Sequence, residues 1–315
     1  MTKAGDRETI FVSFGDSRMA DAARRIRAQA EAMNVFDRIC VWNENDLDTA
    51  FRERFVDRLV PGSRGFGFWC WKPHVIKTCL DAMRDGDILL YTDIGCHLRT
   101  EGRETLLEYF ECARNSPSGV FGFSGERGAS FLKHYVKGDI LAYFGVYDDD
   151  WICDSPGFIA GAIAVARKPE SMALIRRWEK AYEDDFELAT DSPSRVPNKP
   201  GFIRNLHDQA LFSVLCTMYG AACRKGDAIE ATAPNFWKAE KPHPIAALRD
   251  KGLPHHNSDL FPRWLKMLLG CIPYKPLRKG IGTWYKLRKA ARIGEALKRS
   301  LRGSTAGQGN NHERQ

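Results

Sequence analysis

The stretch from Gly65 to Leu98, GFGFWCWKPHVIKTCLDAMRDGDILLYTDIGCHL, constrains the fold more than any other. Pro73 suits the first turn of a helix, where its missing N–H has no partner to lose. Val75, Ile76, Cys79, Leu80 and Met83 then recur on one helical face, and Asp85-Gly86 turns the chain. Ile88, Leu89, Leu90 and Tyr91 form the short apolar run of a strand buried on both faces. Asp93, Gly95, Cys96 and His97 follow directly. Ligands of open α/β sheets sit just outside the carboxyl ends of the strands, so Asp93 stands where a metal or a ribose binds, or else it caps the turn before Gly95.

The flanking segments predict the same class. Thr9 to Phe14 reads as a buried strand. Asp16 or Ser17 then caps a helix along which Met19, Ala23, Ile26, Ala30 and Met33 keep helical spacing up to Asn34. Arg38 to Trp42 is a second strand, and strand–helix–strand is the opening of a βαβ unit. Neither G-x-G-x-x-G nor G-x-x-x-x-G-K-[ST] occurs, which disfavours a dinucleotide fold of the usual fingerprint and a P-loop enzyme. Further on, 46–59 is a charged helical stretch and 61–67 a glycine-rich loop. Helices are expected at 101–113, 137–144 and 168–182, strands at 119–123 and 157–166, a turn at 148–150 and a polar loop at 184–201. Residues 205–220 read as a helix with Ala210, Leu211, Val214, Leu215 and Met218 on one face and Gly220 at its end. Asp208 falls in its first turn, where a carboxylate suits the helix dipole.

With 315 residues, 43% of them apolar and 28% charged, the chain is long enough for one large α/β domain or two smaller ones. Its nine cysteines are scattered without a C-x-x-C pair, which reads as reduced thiols, not as a disulfide framework or a zinc ribbon. MTKAGDRET has no apolar h-region, and no apolar run approaches the ~20 residues of a membrane span, so a cytoplasmic protein is expected. The charge is uneven. Residues 262–302 hold twelve Lys or Arg against the single acid Glu295, a net +11 that leaves the rest at −4 of the total +7. Phe261 to Leu269 is apolar, and Trp284, Leu287, Ala291, Leu297 and Leu301 share a helical face. This basic amphipathic segment is expected to dock peripherally on the anionic inner leaflet of the cell membrane, or to pack on the body as a solvated basic helix. No nucleic-acid motif accompanies it, so nucleic acid is not an expected partner. The expected organisation is a main domain at 1–258, the basic segment at 259–302 and a small, polar, disordered tail at 303–315.

Several motifs together carry a resemblance. W-x-W-K-P at 69–73 precedes G-D-I-L-L-Y-x-D-x-G-C at 86–96. A glycine-studded strand and a helix with Trp178 follow, and then H-D-Q at 207–209. In this order they resemble the bacterial GT-A-fold glycosyltransferases, capsule- and lipopolysaccharide-type sugar transferases above all, over residues 8–257. The resemblance implies the α/β nucleotide-diphospho-sugar transferase fold, with a mostly parallel central sheet flanked by helices. It further implies a nucleotide-sugar donor, a polysaccharide or lipid-linked glycan acceptor, and often a divalent metal, Mn²⁺ or Mg²⁺. Carried over residue by residue, Asp93 matches the first acid of the D-x-D motif, which touches ribose and metal. Asp208 matches the acid that holds donor-sugar hydroxyls. Gln209 matches the residue beside the anomeric carbon in retaining members. His256, or His255, matches a late metal-binding histidine, and Asp16 falls where the family holds the nucleotide.

The third D-x-D position is Gly95, which removes one oxygen ligand from a hard cation. The diphosphate and a histidine then complete the shell, or the metal binds weakly, or none is used. Lys72, or an arginine such as Arg64, either stabilises the departing diphosphate from the cleft or sits on the surface. Trp69 and Trp71 either stack on a base or sugar or pack in the core. The alternative to an enzyme is a catalytically inactive GT-A-like module that binds a glycan or a partner, and Gly95 is the feature that favours it.

Overall fold

Side chains of the central strands alternate between two apolar layers, as the period of a β-strand requires. In β1 (Thr9–Phe14), Ile10, Val12 and Phe14 enter one layer and Phe11 the other. In β3 (Ile88–Thr92), Leu89 and Tyr91 enter the first layer, Ile88 and Leu90 the second. The computed structural model that shows this describes residues 7–125, 131–233 and 236–252. The chain divides into two compact units, and every element named below belongs to the unit Met1–Ala231 with Asn235–Leu253.

The other strands are β2 (Arg38–Trp42), β4 (Val120–Ser124), β5 (Phe158–Ala166) and β6 (Ala222–Lys225). The sheet order is β2-β1-β3-β5-β4-β6. β2, β1 and β3 run parallel, β4 and β6 are parallel to each other, and β5 is antiparallel to both of its neighbours. This is the expected mostly parallel sheet, with β3 near its middle. Helices α1 (Ala20–Met33) and α3 (Arg103–Asn115) cover the layer that holds Ile88 and Leu90, through Ile26, Met33, Leu106, Tyr109 and Phe110. Helices α2 (Trp71–Asp81), α4 (Pro169–Asp184) and α5 (Asp208–Tyr219) cover the other, through Val75, Ile76, Leu174, Trp178, Leu211 and Val214. Asn34 and Gly220 end α1 and α5 in the left-handed conformation, as their positions suggest.

Four details differ from the sequence reading. Only Thr49–Arg54 of the stretch 46–59 is helical, capped by Asp48, whose side chain accepts from the Phe51 N–H at 2.8 Å. Helix α5 starts at Asp208, because His207 has φ 58° and ψ −124° and cannot belong to a helix. The turn at 148–150 leads into a short helix, Asp150–Cys153, capped by Asp149. Strand β6 was not expected, and neither was the two-residue ladder of His97–Leu98 with Ile245–Ala246. Every described cysteine is free, and no helix among the described residues is long and apolar enough to cross a membrane. His255, His256, the basic segment 259–302 and the tail 303–315 lie outside the described residues.

Candidate active site

The site begins with a buried lysine. Lys72 is the second residue of α2 and its side chain is 2% exposed, so it is not a surface lysine. Its ammonium donates to the Asp208 carboxylate at 2.6 Å and to the Ala160 carbonyl at 3.1 Å, and pairs with Asp93 Oδ1 at 3.1 Å. These three partners use all of its protons. Burial pulls its pKa down, but the attraction and hydrogen bonds of Asp208 and Asp93 outweigh burial and hold it above the ordinary lysine value. Burial pushes the Asp208 carboxyl up, and Lys72 pulls it back only in part. At a separation of 2.6 Å the two form an ion pair at neutral pH.

Asp93 is anchored on one side and open on the other. Tyr91 Oη donates to its Oδ1 at 2.8 Å, while 42% of the side chain stays exposed. The Tyr91 hydroxyl is pushed well up, by burial first and by Asp93 second, and so remains a donor. The Asp93 amide is held by the Gly161 carbonyl at 2.9 Å, which fixes the turn at the carboxyl end of β3. Gly161 leaves room there, since a Cβ would stand 3.2 Å from Asp93 Oδ2 and press on that carboxylate.

A left-handed turn walls the cleft. Gly65, Phe66, Gly67, Phe68 and Trp69 all have positive φ, from 49° to 85°. Three of them carry side chains, and each such residue costs of order 1–2 kcal/mol of backbone strain. The Trp69 indole lies so close over Gly65 that a Cβ there would meet it at 2.4 Å. It also stacks on His207, 5.7 Å away and nearly parallel, whose own backbone has a positive φ. Trp71 donates to the Gly65 carbonyl and stacks on Phe14 at 4.0 Å, so it packs in the core.

A cavity of about 350 Å³ opens at this edge, lined by Asp16, Arg18, Trp69, Trp71, Asp93, Gly95 and Gln209, among others. A second cavity, about 370 Å³, lies beside it and includes Leu132, Tyr135, Arg204 and Ser213. Gln209, Ile159, Glu230 and Arg249 line both. Each is of the size of a small-molecule site, roughly 300–1,000 Å³. The structure thus brings Asp16, Lys72, Asp93, Asp208 and Gln209 to one edge of the sheet. Their positions are not equivalent. Gln209 and Asp93 face the cavity, Asp208 lines neither cavity and reaches the cleft through Lys72, and Asp16 is held by a two-pronged bond from Arg18 at 3.0 and 2.7 Å. Arg64 pairs with Asp191 at 3.2 Å and lines neither cavity.

Position 95 explains the altered D-x-D. A Cβ there would stand 3.0 Å from the Arg249 backbone and 3.1 Å from the Asp250 amide, which donates to the Gly95 carbonyl at 2.8 Å. The late segment is tied down further. Arg25 donates to the carbonyls of Ile94 and Asp250 and pairs with the Asp250 carboxylate at 3.1 Å, and His97 reaches the same carboxylate. Arg249 and Lys251 are thereby carried to the cavity. Sequence reasoning missed these two, Arg18, and the Tyr91 hydroxyl. The described residues do not by themselves fit a Mn²⁺ or Mg²⁺ ion. No group of three His, Cys, Asp or Glu among the described residues is placed to hold one, and Asp93 Oδ1 is already taken by an ammonium and a phenol.

No family model and no curated protein matches the chain. Among solved structures it is similar to the galactosyltransferase LgtC in complex with donor and acceptor sugar analogs, at 13% identity over 86% of this chain and 99% of that one, TM-score 0.40. It is also similar to mouse xyloside xylosyltransferase 1, at 12% identity over 81% and 98% of the two chains, TM-score 0.39. A glycosyltransferase involved in glycosylation of the major capsid of PBCV-1 matches at 7% identity over 70% and 83%, TM-score 0.39. Scores of this size leave the function to the geometry of the site itself.

Lys72→Met should destabilise the fold by about 3–5 kcal/mol in urea denaturation, because it strands carboxylates that the ammonium neutralises. Adding Asp208→Asn should recover part of the loss. Because the folded pKa of Lys72 is raised, its contribution is fully present below the ordinary lysine range and is lost only as pH rises through the raised value. The deficit of Lys72→Met should therefore narrow only at strongly alkaline pH. A loss under ~1 kcal/mol at neutral pH would contradict this account of the pair.

Proposed function

We propose that the chain is a glycosyltransferase of the GT-A type that moves a sugar from a nucleotide-diphospho-sugar to a polysaccharide or lipid-linked glycan acceptor. The observation that carries this reading is the two-chambered cleft, with Asp93 open at the carboxyl edge of β3 and Gln209 on the wall that both cavities share. The resemblance in the W-x-W-K-P, Y-x-D-x-G and H-D-Q motifs supports it. Asp93 Oδ2 accepts from the ribose hydroxyls, Trp69 offers an aromatic wall, and Gln209 lies at the boundary where donor and acceptor meet. Asp208 is a positioning residue that holds Lys72 and, through it, Asp93. Transfer breaks the bond between the anomeric carbon and the diphosphate oxygen, which keeps the electron pair. An acceptor hydroxyl oxygen bonds the anomeric carbon and gives its proton to the departing phosphate oxygen.

The test is turnover on a panel of UDP-, GDP- and dTDP-sugars, scored as transfer or as donor hydrolysis. Gln209→Ala should melt like the parent, Asp93→Asn should melt lower because the buried Lys72 loses a carboxylate partner, and both should lose about 10²-fold or more in kcat/KM, roughly 2.7 kcal/mol of transition-state stabilisation. Wild-type turnover in both folded variants would sink the assignment.

The basic segment 259–302 supports a location beside the acceptor's membrane, each basic residue near an anionic surface contributing about 1 kcal/mol. The full chain should therefore sediment with anionic vesicles. Sedimentation no better than that of a chain ending at Leu260 would remove this part of the reading.

A further inference from the structure

If the site takes a nucleoside diphosphate, as the preceding reading requires, the negative charge of the diphosphate needs a counter-charge. The expected one is a divalent ion at D-x-D, and the donor set among the described residues does not fit it. The reason is structural. A Cβ at the second D-x-D position would press on the backbone of residues 249–250, at 3.0 Å, so a carboxylate there needs that segment to shift. A dication at Asp93 would also face the charged Lys72 ammonium, itself 3.1 Å from Oδ1 of that carboxylate.

The segment that crowds this position brings cations to the cavity. Arg249 and Lys251 lie within three residues of one another, line the cavity that Asp93 opens into, and ride on a backbone pinned to Gly95. Arg249 has φ 55°, a conformation that costs energy in a residue with a side chain and is imposed here by the bonds around it. Its guanidinium meets Glu230 at 2.9 Å with 71% of the side chain exposed, a surface pair of the weak kind that a phosphate can displace. Guanidinium groups bind phosphate through paired N–H donors, and a fixed cation needs no reorganisation as the leaving group gains charge. Arg18 lines the same cavity but is already paired with Asp16, so the counter-charge falls to Arg249 and Lys251.

We infer that Arg249 and Lys251 replace the divalent ion: they bind the diphosphate of the nucleotide, and the protein holds nucleoside diphosphates without metal. During transfer they stabilise the electron pair left on the diphosphate oxygen when the bond to the anomeric carbon breaks.

Calorimetric titration of the full chain with UDP, GDP and dTDP, each in EDTA and in excess MnCl₂, tests this. At least one should bind in EDTA with a Kd within about threefold of its value with Mn²⁺. Arg249→Gln and Lys251→Gln should each weaken binding in EDTA about tenfold or more, the worth of a charge-assisted hydrogen bond, and Arg249→Lys should recover part of it. Lys251→Gln carries the test if Arg249→Gln does not fold. Binding that appears only with Mn²⁺ overturns the inference and returns a metal to Asp93, with His255 or His256 as further ligands. Undiminished binding in both glutamine variants overturns it as well. Absence of binding under both conditions overturns it together with the glycosyltransferase reading, which the other two outcomes leave standing.

Discussion

The arrangement at the sheet edge depends on one ammonium group held away from water. Lys72 joins the start of α2 to the turn after β3 and to the first residue of α5, and its third proton is taken by the Ala160 carbonyl of β5. A lone buried ammonium is expensive, so the site is stable only while both carboxylates are present. The same requirement serves the cleft. Asp93 is oriented through one oxygen, by Lys72 and Tyr91, and so presents the other to the cavity. Charge balance in the interior and orientation at the surface are the same set of bonds.

A second constraint is spatial. The chain returns late, at 243–251, to pack on the residues that follow Asp93. Gly95 and Gly102 both permit this, since a Cβ at Gly102 would stand 2.4 Å from the Pro244 backbone. Arg25 and His97 converge on Asp250 and hold the contact. Glycine at position 95 is therefore accounted for by close backbone packing.

Much of this was legible in the sequence. Apolar runs such as Ile88 to Tyr91 marked the buried strands, because a strand covered on both faces needs no alternation. Asn34 and Gly220 marked helix ends, because the left-handed cap favours those residue types. Asp93 was legible as a site residue because it follows such a strand. Lys72 was not. Whether a lysine is buried depends on its partners, and Asp208 lies 136 residues further on. Strand β6 was hidden because Cys223, Arg224 and Lys225 form an exposed edge without an apolar pattern. Gly65 and Gly67 announced a turn, but the positive φ of Phe66, Phe68 and Trp69 is imposed by packing that sequence spacing does not encode. Arg249 and Lys251 carry no signal at all, since only the fold brings them to Asp93.

The most direct test is a crystal structure of the full chain grown with Mn²⁺ and the tightest-binding nucleoside diphosphate, with anomalous data collected at the manganese edge. The account predicts ribose on Asp93, the diphosphate against Arg249 and Lys251, and no manganese peak between them. A manganese ion bridging Asp93 and the diphosphate, or a nucleotide bound away from this edge of the sheet, would contradict it.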